Sequence, residues 1–198
     1  IAQKYGHDCR FIKAAIGGDA IDSFGVPLPD ATLDLCRNAD GVMLGAVGGP
    51  KWEDIPVALR PEQGLLALRR KLGLFANIRP VRAPEIPWPL SPIKPEVLAG
   101  TDIVFVRELT GGIYFGEKKP EPIAGCANGG ERASDSSTYT TDEIASVVRV
   151  AARIALERRG LVTSVDKANV LETSRLWRRV ATAVMRACAF SIHGCAGA

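Results

Sequence analysis

The sequence predicts an α/β fold, because short apolar runs alternate along the chain with segments of helical periodicity. A second observation is the composition, which is that of an ordinary globular protein: 198 residues, of which 46% are hydrophobic and 24% charged. A chain of this length fits one domain or two small ones. The runs that favour strands are FIKAAI at 11–16, GVMLGAV at 41–47, DIVFVRE at 102–108 and LVTSVD at 161–166.

Helical patterns fill the intervals between these runs. The segment at 29–39, PDATLDLCRNA, opens with a proline and an aspartate, and the segment at 61–73 spaces its leucines three and four residues apart before a glycine. The clearest helix is predicted at 140–160, where Thr140 and Glu143 have the spacing of a capping box. Its apolar face would consist of Ile144, Val147, Val148, Ala151, Ile154 and Ala155.

The remaining segments are one further helix and two connections. The sequence NVLETSRLWRRV at 169–180 favours a helix. Residues 80–100 are dense in proline and predict a surface connection, while residues 117–138 are polar and rich in glycine, which predicts a loop or a projecting arm.

Charge and hydropathy exclude some partners. The net charge is +3 and the basic residues are dispersed, so no nucleic-acid partner is predicted. No apolar run reaches the roughly 18 residues that a membrane span requires, so no membrane association is predicted either.

The cysteines and histidines argue against a disulfide framework and a histidine-rich metal site. The five cysteines form no Cys-x-x-Cys pair, and an odd, scattered set favours a reducing compartment, which we take to be the cytoplasm. Only His7 and His193 could offer imidazole ligands. The cysteines are Cys9, Cys36, Cys126, Cys188 and Cys195.

The two ends of the chain suggest a fragment. The sequence begins at Ile1 with IAQKYGHDCRF, which has no signal-peptide pattern. The final residues, MRACAFSIHGCAGA, have weak patterning and no clear helix cap. We therefore expect a chain that is incomplete at both ends.

Two glycine-rich segments bear on nucleotide binding. The chain has no Gly-x-Gly-x-x-Gly, and Glu117 stands where a phosphate-binding loop after Gly111 and Gly116 would need a lysine. The segment GAVGGPKW at 45–52 follows a predicted strand, and its glycines could admit a phosphate or sugar close to the backbone. They could equally form only a tight turn, and both interpretations stay open.

Arginines in three separate elements hint at an anionic ligand. Arg69 lies in the helix predicted at 61–73, Arg79 precedes a proline, and Arg107 ends an apolar strand. A guanidinium at a strand end suits bidentate binding of a carboxylate or phosphate. The alternative for each arginine is a solvated surface position, and the sequence leaves the choice open.

The segment RELTGGIYFGEKK at 107–119 places a tyrosine beside a pair of glycines. Tyr114 could be a proton donor or an aromatic side chain packed in a hairpin. In VDKANVL at 165–171, Lys167 leaves an apolar strand and could serve as a base. The alternative is that Asp166 or Asn169 caps the following helix.

Four motifs together identify a family. GAVGGPKW, RPEQGLLALRRKLGLFANIRP, VRELTGGIYFGE and SVDKANVLETSRLWR occur in this order, and the chain resembles the isocitrate/isopropylmalate dehydrogenase family, in particular its 3-isopropylmalate dehydrogenases. The resemblance covers roughly residues 1 to 180 and fades after Arg179. It implies a two-domain fold of that family, not a Gly-x-Gly-x-x-Gly Rossmann fold. Residues 1–74 would form the N-terminal part of the cofactor-binding domain, and 75–198 a truncated central domain for substrate and dimerisation.

The resemblance assigns roles to individual residues. The catalytic residues would be Tyr114, which protonates the enol, and Lys167, which takes the hydroxyl proton and acts from the partner subunit. The substrate-binding residues would be Arg69, Arg79, Arg107, Leu65, Leu66, Asn169 and Val170. The cofactor-binding residues would be Gly49, Pro50, Lys51, Trp52 and Glu62. The aspartates that hold the metal in this family would lie beyond the end of the chain, so no metal ligand is assigned.

The implied function is the NAD-dependent oxidative decarboxylation of 3-isopropylmalate to 4-methyl-2-oxopentanoate in leucine biosynthesis. The resemblance implies NAD and Mg²⁺ or Mn²⁺ as cofactors, a homodimer and a cytoplasmic enzyme. The apolar pair Leu65 and Leu66 favours a branched alkyl group, since an unpaired, desolvated carboxylate would cost several kcal/mol there. The alternatives are a sister dehydrogenase acting on tartrate or another 3-substituted malate, and a truncated, non-catalytic fragment. We expect the 198-residue chain alone to be poorly active.

Overall fold

A computed structural model describes residues 2–83, 91–122, 130–188 and 192–196. The chain divides into two compact units, Ile1–Gly73 and Leu74–Ala198. Each unit is considered by itself below.

The first unit is helical in the part that the structure describes. Its helices are α1 Ala2–Tyr5, α2 Gly18–Phe24, α3 Asp30–Arg37 and α4 Pro61–Lys71, with short 3-10 turns at Pro50–Trp52 and Val57–Leu59. The periodicity correctly predicted α3 and α4. Helix α4 has a proline at its first position, where no N–H donor is needed, and it ends shortly before Gly73, whose φ is 65°.

Two strands predicted in this unit are wrong. Residues 11–16 and 41–47 belong to no sheet within the described part of the chain, and their apolar side chains are largely exposed, up to 89% for Met43. A β-strand exists only where a neighbouring strand pairs its N–H and C=O groups. Val47 instead accepts a hydrogen bond from Gly18 N at 2.8 Å, which fastens the end of one run to the start of α2.

The second unit alternates strands and helices, as the fold class predicted. Its elements are β1 Ala76–Arg82, α5 Pro95–Leu98, β2 Asp102–Glu108, β3 Lys118–Pro122, β4 Glu131–Asp135, α6 Thr141–Leu156, β5 Val162–Asp166, α7 Glu172–Ala187 and β6 Ile192–Ala196. Three ladders join the strands in pairs: β1 with β2 and β3 with β4 are antiparallel, and β5 with β6 is parallel. The strands predicted at 102–108 and 161–166 are confirmed.

Both predicted connections contain regular structure. The proline-dense segment at 80–100 begins within β1, because Pro80 pairs with Val104 opposite it, and it also contains α5. The predicted arm at 117–138 contains the β3–β4 ladder. Residues 84–90 and 123–129 of these segments lie outside the described residues. Proline and glycine content therefore overestimated the irregular backbone.

The core of the second unit lies between α6 and α7. Its buried members are Ile144, Val147, Val148, Ala152, Ala181 and Met185. Ala76 of β1, Val106 of β2 and Val162 of β5 pack against this cluster. The two helices therefore cover one face of the strands. The opposite face of β1 and β2 is exposed and carries two of the predicted substrate-binding arginines and the apolar side chains of Ile103 and Phe105.

The helix predicted at 140–160 has the expected cap. Glu143 N donates to Thr140 Oγ1 at 3.3 Å, and Thr140 N donates to Glu143 Oε2 at 2.7 Å, which completes a capping box at the start of α6. Within the described residues, no helix combines the length and the apolar composition needed to cross a membrane.

Candidate active site

The register of β1 and β2 places two of the predicted arginines on one face. Asn77 lies opposite Arg107 and Arg79 lies opposite Phe105, so these four side chains point to the same side of the ladder. Ala76 and Val106 belong to the other side, which meets the core. Arg79 and Arg107 are therefore diagonal neighbours on the exposed face, and Arg79 Nε donates to Asn77 Oδ1 at 2.6 Å. This arrangement places two guanidinium groups on one face of the ladder.

Arg107 also contacts the predicted proton donor. Its guanidinium carbon lies 5.0 Å from the centre of the Tyr114 ring, which is a cation–π distance. Tyr114 is 59% exposed, so it is not a packed core aromatic. The structure thus brings Arg79, Arg107 and Tyr114 together.

The glycines between Arg107 and Tyr114 form a turn that a buried carboxylate holds. Glu108 is 7% exposed, and its carboxylate accepts hydrogen bonds from Thr110 N at 2.6 Å, from the Thr110 hydroxyl and from Gly111 N at 2.9 Å. Gly112 has a φ of 74°, and a Cβ there would collide with the Tyr139 hydroxyl. The turn therefore needs glycine at 112 for both its backbone conformation and its close approach to Tyr139.

A lysine holds the other side of the same turn. The Lys118 ammonium donates to the carbonyl oxygens of Ile113 and Tyr114, both at 3.0 Å, and to that of Gly116 at 3.2 Å. Three charge-assisted hydrogen bonds from one side chain fix the backbone on both sides of the tyrosine. Lys118 and Glu108 together determine where Tyr114 lies.

Lys167 emerges from a different ladder, at the end of β5. It is half-buried, and its carbonyl oxygen accepts hydrogen bonds from Val170 N and Leu171 N, both at 3.0 Å. Neither Asp166 nor Asn169 caps α7, since the N-cap residue is Leu171, without a side-chain bond. The alternative prediction of a helix cap is therefore wrong.

Asp166 is instead the buried partner of an arginine. Arg178 donates to its carboxylate through Nε at 3.1 Å and through Nη2 at 2.6 Å, and Ala168 N donates to it at 3.0 Å. The guanidinium of Arg178 holds the pKa of Asp166 below its usual value, against the opposing effect of burial. Asn169 and Val170 are exposed beyond this pair.

Helix α4 carries the predicted residues of the first unit on one side. One face of the helix carries Glu62, Leu66 and Arg69, which are spaced four and then three residues apart. Leu65 lies at the border of this face. Leu65, Leu66 and Arg69 are half-buried. The opposite side packs inward through Pro61, Gly64 and Leu68, and a Cβ on Gly64 would collide with the carbonyl of Pro27. The packing of that side leaves the Glu62 face available to a ligand.

The predicted cofactor loop is anchored to α2. Lys51 Nζ donates to Asp22 Oδ2 at 2.6 Å and Trp52 Nε1 donates to Asp22 Oδ1 at 3.2 Å. Lys51 lowers the pKa of Asp22 through this hydrogen bond. The Trp52 ring lies so close to Gly18 that a Cβ there would collide with it. Asp22 thus fixes the direction of the loop, and the ammonium of Lys51 is engaged by a carboxylate.

Glu62 of α4 lies beside the same loop. A Cβ on Gly48 would be 2.9 Å from Glu62 Oε1, so this carboxylate oxygen closely approaches bare backbone. Glu62 therefore lies beside Gly48, the residue that precedes the predicted cofactor loop at 49–52. A carboxylate beside exposed backbone is suited to accept hydrogen bonds from hydroxyl groups such as those of a ribose.

The described residues provide no metal ligand set of their own. Among them, no three His, Cys, Asp or Glu side chains lie together in a way that could hold an ion.

Several side chains that shape the site escaped the sequence reasoning. Tyr139 braces the turn at Gly112 and packs edge-to-face on Trp177, with ring centres 5.4 Å apart, and burial raises its pKa. The sequence offered one indication of this role, namely that Tyr139 directly precedes the capping box that begins at Thr140. Nothing in the sequence pairs it with a distant glycine, or pairs Asp22 with Lys51.

Comparison with known proteins gives the family. The profile described as isocitrate/isopropylmalate dehydrogenase matches residues 1–193. The match extends beyond residue 180, so the expectation that the resemblance fades after Arg179 is wrong, in keeping with α7 continuing to Ala187.

The two curated relatives described below carry the same name, 3-isopropylmalate dehydrogenase. A 3-isopropylmalate dehydrogenase from Bacillus caldotenax is 54% identical over 181 residues, which is 91% of this chain and 48% of that relative. Another from Rhodopirellula baltica is 52% identical over 187 residues, 93% of this chain and 50% of that relative. The chain therefore spans about half the length of these relatives.

Solved structures agree on the fold. An isocitrate dehydrogenase from Methylococcus capsulatus superposes with a TM-score of 0.70 at 26% identity, covering 98% of this chain and 53% of that chain. A beta-decarboxylating dehydrogenase from Thermococcus kodakarensis gives 0.65 at 28% identity, covering 94% and 48%. With the profile match over 1–193, these similarities show that the chain belongs to the isocitrate/isopropylmalate dehydrogenase family.

Proposed function

We propose that this chain is part of an NAD-dependent 3-isopropylmalate dehydrogenase of leucine biosynthesis. The observation that carries the proposal is the pairing of two arginines with a tyrosine: Arg79 and Arg107 on one face of β1–β2, with Tyr114 against Arg107. The names of the relatives that are about half identical to the chain support the same substrate.

The arginines would bind the carboxylates of the substrate. Guanidinium groups bind carboxylates through two parallel N–H···O bonds, and Arg79 and Arg107 present theirs on the exposed face of the ladder. Arg69, on the face of α4, would be the third arginine of the set. Binding by several fixed guanidinium groups would orient the reacting carbons of the substrate.

Lys167 and Tyr114 would carry the proton transfers. Lys167 would take the proton of the substrate's hydroxyl group while the carbon loses a hydride, for which NAD is the acceptor. The β-carboxylate of the resulting keto acid leaves as carbon dioxide, and the electron pair of the broken bond forms an enolate. Tyr114 would then donate its phenolic proton to the carbon and give 4-methyl-2-oxopentanoate.

The apolar side chains would determine which malate derivative is accepted. Leu65 and Leu66 are half-buried on α4, and Val170 is exposed beyond the end of β5. These side chains suit an isopropyl group, because a third carboxylate of the isocitrate type would be desolvated there without a partner.

For cofactors we propose NAD together with Mg²⁺ or Mn²⁺. Glu62 would receive the nicotinamide ribose, and residues 49–52 would line the nicotinamide end. The described residues supply no ligand set for the cation, so we derive no step through it. We also propose a cytoplasmic homodimer, in which Lys167 acts on the substrate of the partner subunit.

An enzyme assay tests the proposal. The complete enzyme that contains this chain, and the 198-residue chain alone, would be supplied with NAD, Mg²⁺ or Mn²⁺ and one of four acids: 3-isopropylmalate, isocitrate, tartrate or 3-methylmalate. NADH formation with a clear preference for 3-isopropylmalate is expected from the complete enzyme. A preference for tartrate or 3-methylmalate would instead support the sister dehydrogenase. A folded complete enzyme inactive with all four acids would favour the non-catalytic alternative.

A further inference from the structure

The connection between β5 and α7 is held by an ion pair that no catalytic step requires, between a buried aspartate and a half-exposed arginine. The Asp166 side chain is 2% exposed, and Arg178 approaches it with two donors, at 3.1 Å from Nε and 2.6 Å from Nη2. The same carboxylate accepts a third hydrogen bond from Ala168 N at 3.0 Å. Three donors hold this buried carboxylate in one orientation. Because one of the donors is the N–H of Ala168, the carboxylate also fixes the backbone at Ala168.

A second arginine holds the same residue from its other side. Arg175 Nη1 donates to the carbonyl oxygen of Ala168 at 3.1 Å, and Arg175 also pairs with the Glu172 carboxylate. Arg175 and Arg178 are three residues apart and so lie on one face of α7. The N–H of Ala168 is therefore tied to Arg178 through Asp166, and its C=O is tied directly to Arg175.

Lys167 lies within this arrangement. Asp166 precedes it, the doubly tethered Ala168 follows it, and its own carbonyl oxygen accepts from Val170 N and Leu171 N at 3.0 Å. Hydrogen bonds thus hold the backbone on both sides of Lys167 and restrict the direction of its side chain. An ion pair with a buried carboxylate contributes little net stability, because desolvation of the carboxylate offsets the attraction. The two-donor contact of Arg178 nevertheless restricts the orientation of the Asp166 side chain.

We propose that Asp166, Arg175 and Arg178 are positioning residues for Lys167: α7 acts as a rigid frame that aims the lysine at the substrate. The proposal rests on the proposed function for the role of Lys167. A purely structural role, joining β5 to α7, would lower stability without changing turnover per folded molecule. Displacement of a catalytic group by about 1 Å can cost roughly a hundredfold in rate, so the two roles give different kinetics.

The kinetic test uses four variants in the complete enzyme that contains this chain. We expect Asp166→Asn and Arg178→Gln to lower kcat by roughly ten- to a hundredfold at saturating substrate, with much smaller changes in KM. Arg178→Lys keeps the charge but loses the two-donor geometry, and it should fold and retain intermediate activity. Arg186→Gln, an exposed substitution on the same helix, is the matched control and should leave kcat unchanged.

Backbone hydrogen exchange supplies a measurement that needs no activity. In Arg178→Lys and Asp166→Asn, the amides of Ala168, Val170 and Leu171 should exchange faster than in the wild type, while those of β1 and β2 should not. Unchanged exchange at these amides, or an unchanged kcat in folded Arg178→Lys and Asp166→Asn, would overturn the proposal. If the wild-type enzyme does not oxidise 3-isopropylmalate, the proposed function fails, and the exchange measurement still decides whether the arginines hold the Lys167 segment.

Discussion

Arg107 shows how one side chain can serve two contacts. Its guanidinium carbon lies 5.0 Å from the centre of the Tyr114 ring. A guanidinium group carries five N–H donors, so one that contacts an aromatic ring can still bind a carboxylate. Arginine can therefore orient the tyrosine and bind a carboxylate at once. Lysine has a point charge and no planar fork, so it could not combine these contacts in the same way.

This leads to a prediction for Arg107→Lys. We expect kcat/KM for 3-isopropylmalate to fall by roughly ten- to a hundredfold, because the bidentate contact is lost, with a loss of about 1.5–3 kcal/mol for a hydrogen bond to a charged group. Steady-state kinetics of the complete enzyme measure the effect. Arg37→Lys, at an exposed pair with Asp34, is the control and should have no effect. An unchanged kcat/KM in Arg107→Lys would remove Arg107 from the substrate site.

Asp166 gives a prediction on pH and stability. Arg178 lowers the pKa of Asp166 in the folded chain, so the ionised carboxylate binds fewer protons there than in the unfolded chain. Its stabilising contribution is present above the unfolded pKa of about 3.9 and is lost as the pH falls through the lower folded value. Urea unfolding of Asp166→Asn should show a weaker decrease in unfolding free energy below about pH 4 than the wild type. Parallel pH dependences in the two proteins would contradict the assigned cause.

At the scale of secondary structure, helices were easier to predict from the sequence than strands. Helix α6 was predictable because its cap and its apolar face are encoded within consecutive residues. The runs at 11–16 and 41–47 have strand composition but no pairing partner among the described residues. A strand needs a neighbour that its own sequence does not name, whereas a helix satisfies its backbone internally.

The capping box of α6 can be tested by a single substitution. Thr140→Ala removes the oxygen that accepts from Glu143 N, and we expect a loss of about 1 kcal/mol in unfolding free energy. Chemical denaturation followed by circular dichroism measures it. Thr141→Ala, at the exposed first position of the helix, is the matched control and should change the free energy much less. Because alanine favours helix more than threonine does, helix propensity cannot produce a loss in Thr141→Ala. Equal losses in both variants would therefore contradict the assignment of the effect to the capping oxygen of Thr140.

On the scale of the whole molecule, the proposed site residues are divided between two units. Arg69 and Glu62 belong to the first unit, and Arg107, Tyr114 and Lys167 to the second. Within the second unit, Tyr114 follows β2 and Lys167 follows β5, which are in separate ladders. A lysine that acts across a subunit interface, as we propose, would make each complete site depend on two chains.

Mixed dimers test this arrangement. Tyr114→Phe and Lys167→Met should each be nearly inactive in the complete enzyme. If Lys167 acts on the partner's site, a mixed dimer of the two variants contains one site with both native residues, and random reassembly should restore about a quarter of the native sites. Refolding the two variants together and measuring NADH formation gives the answer. Activity no higher than in either variant alone would place Lys167 and Tyr114 in the same subunit or refute the dimer.

The sequence by itself determined the fold class, helices α3, α4, α6 and most of α7, the strands β2 and β5, and the family. These features depend on periodicity, caps and motifs, which are properties of consecutive residues. The motifs also named Arg107, Tyr114 and Lys167 as site residues, although not what holds them.

Only the tertiary structure decided which residues meet. It paired Asp166 with Arg178, set Tyr139 against Gly112, placed Lys118 on three carbonyls, and put Arg79 beside Arg107 through the β1–β2 register. It also left the runs at 11–16 and 41–47 outside any described sheet. The physical reason is that such contacts join residues distant in sequence, and their energies depend on geometry that no local pattern encodes.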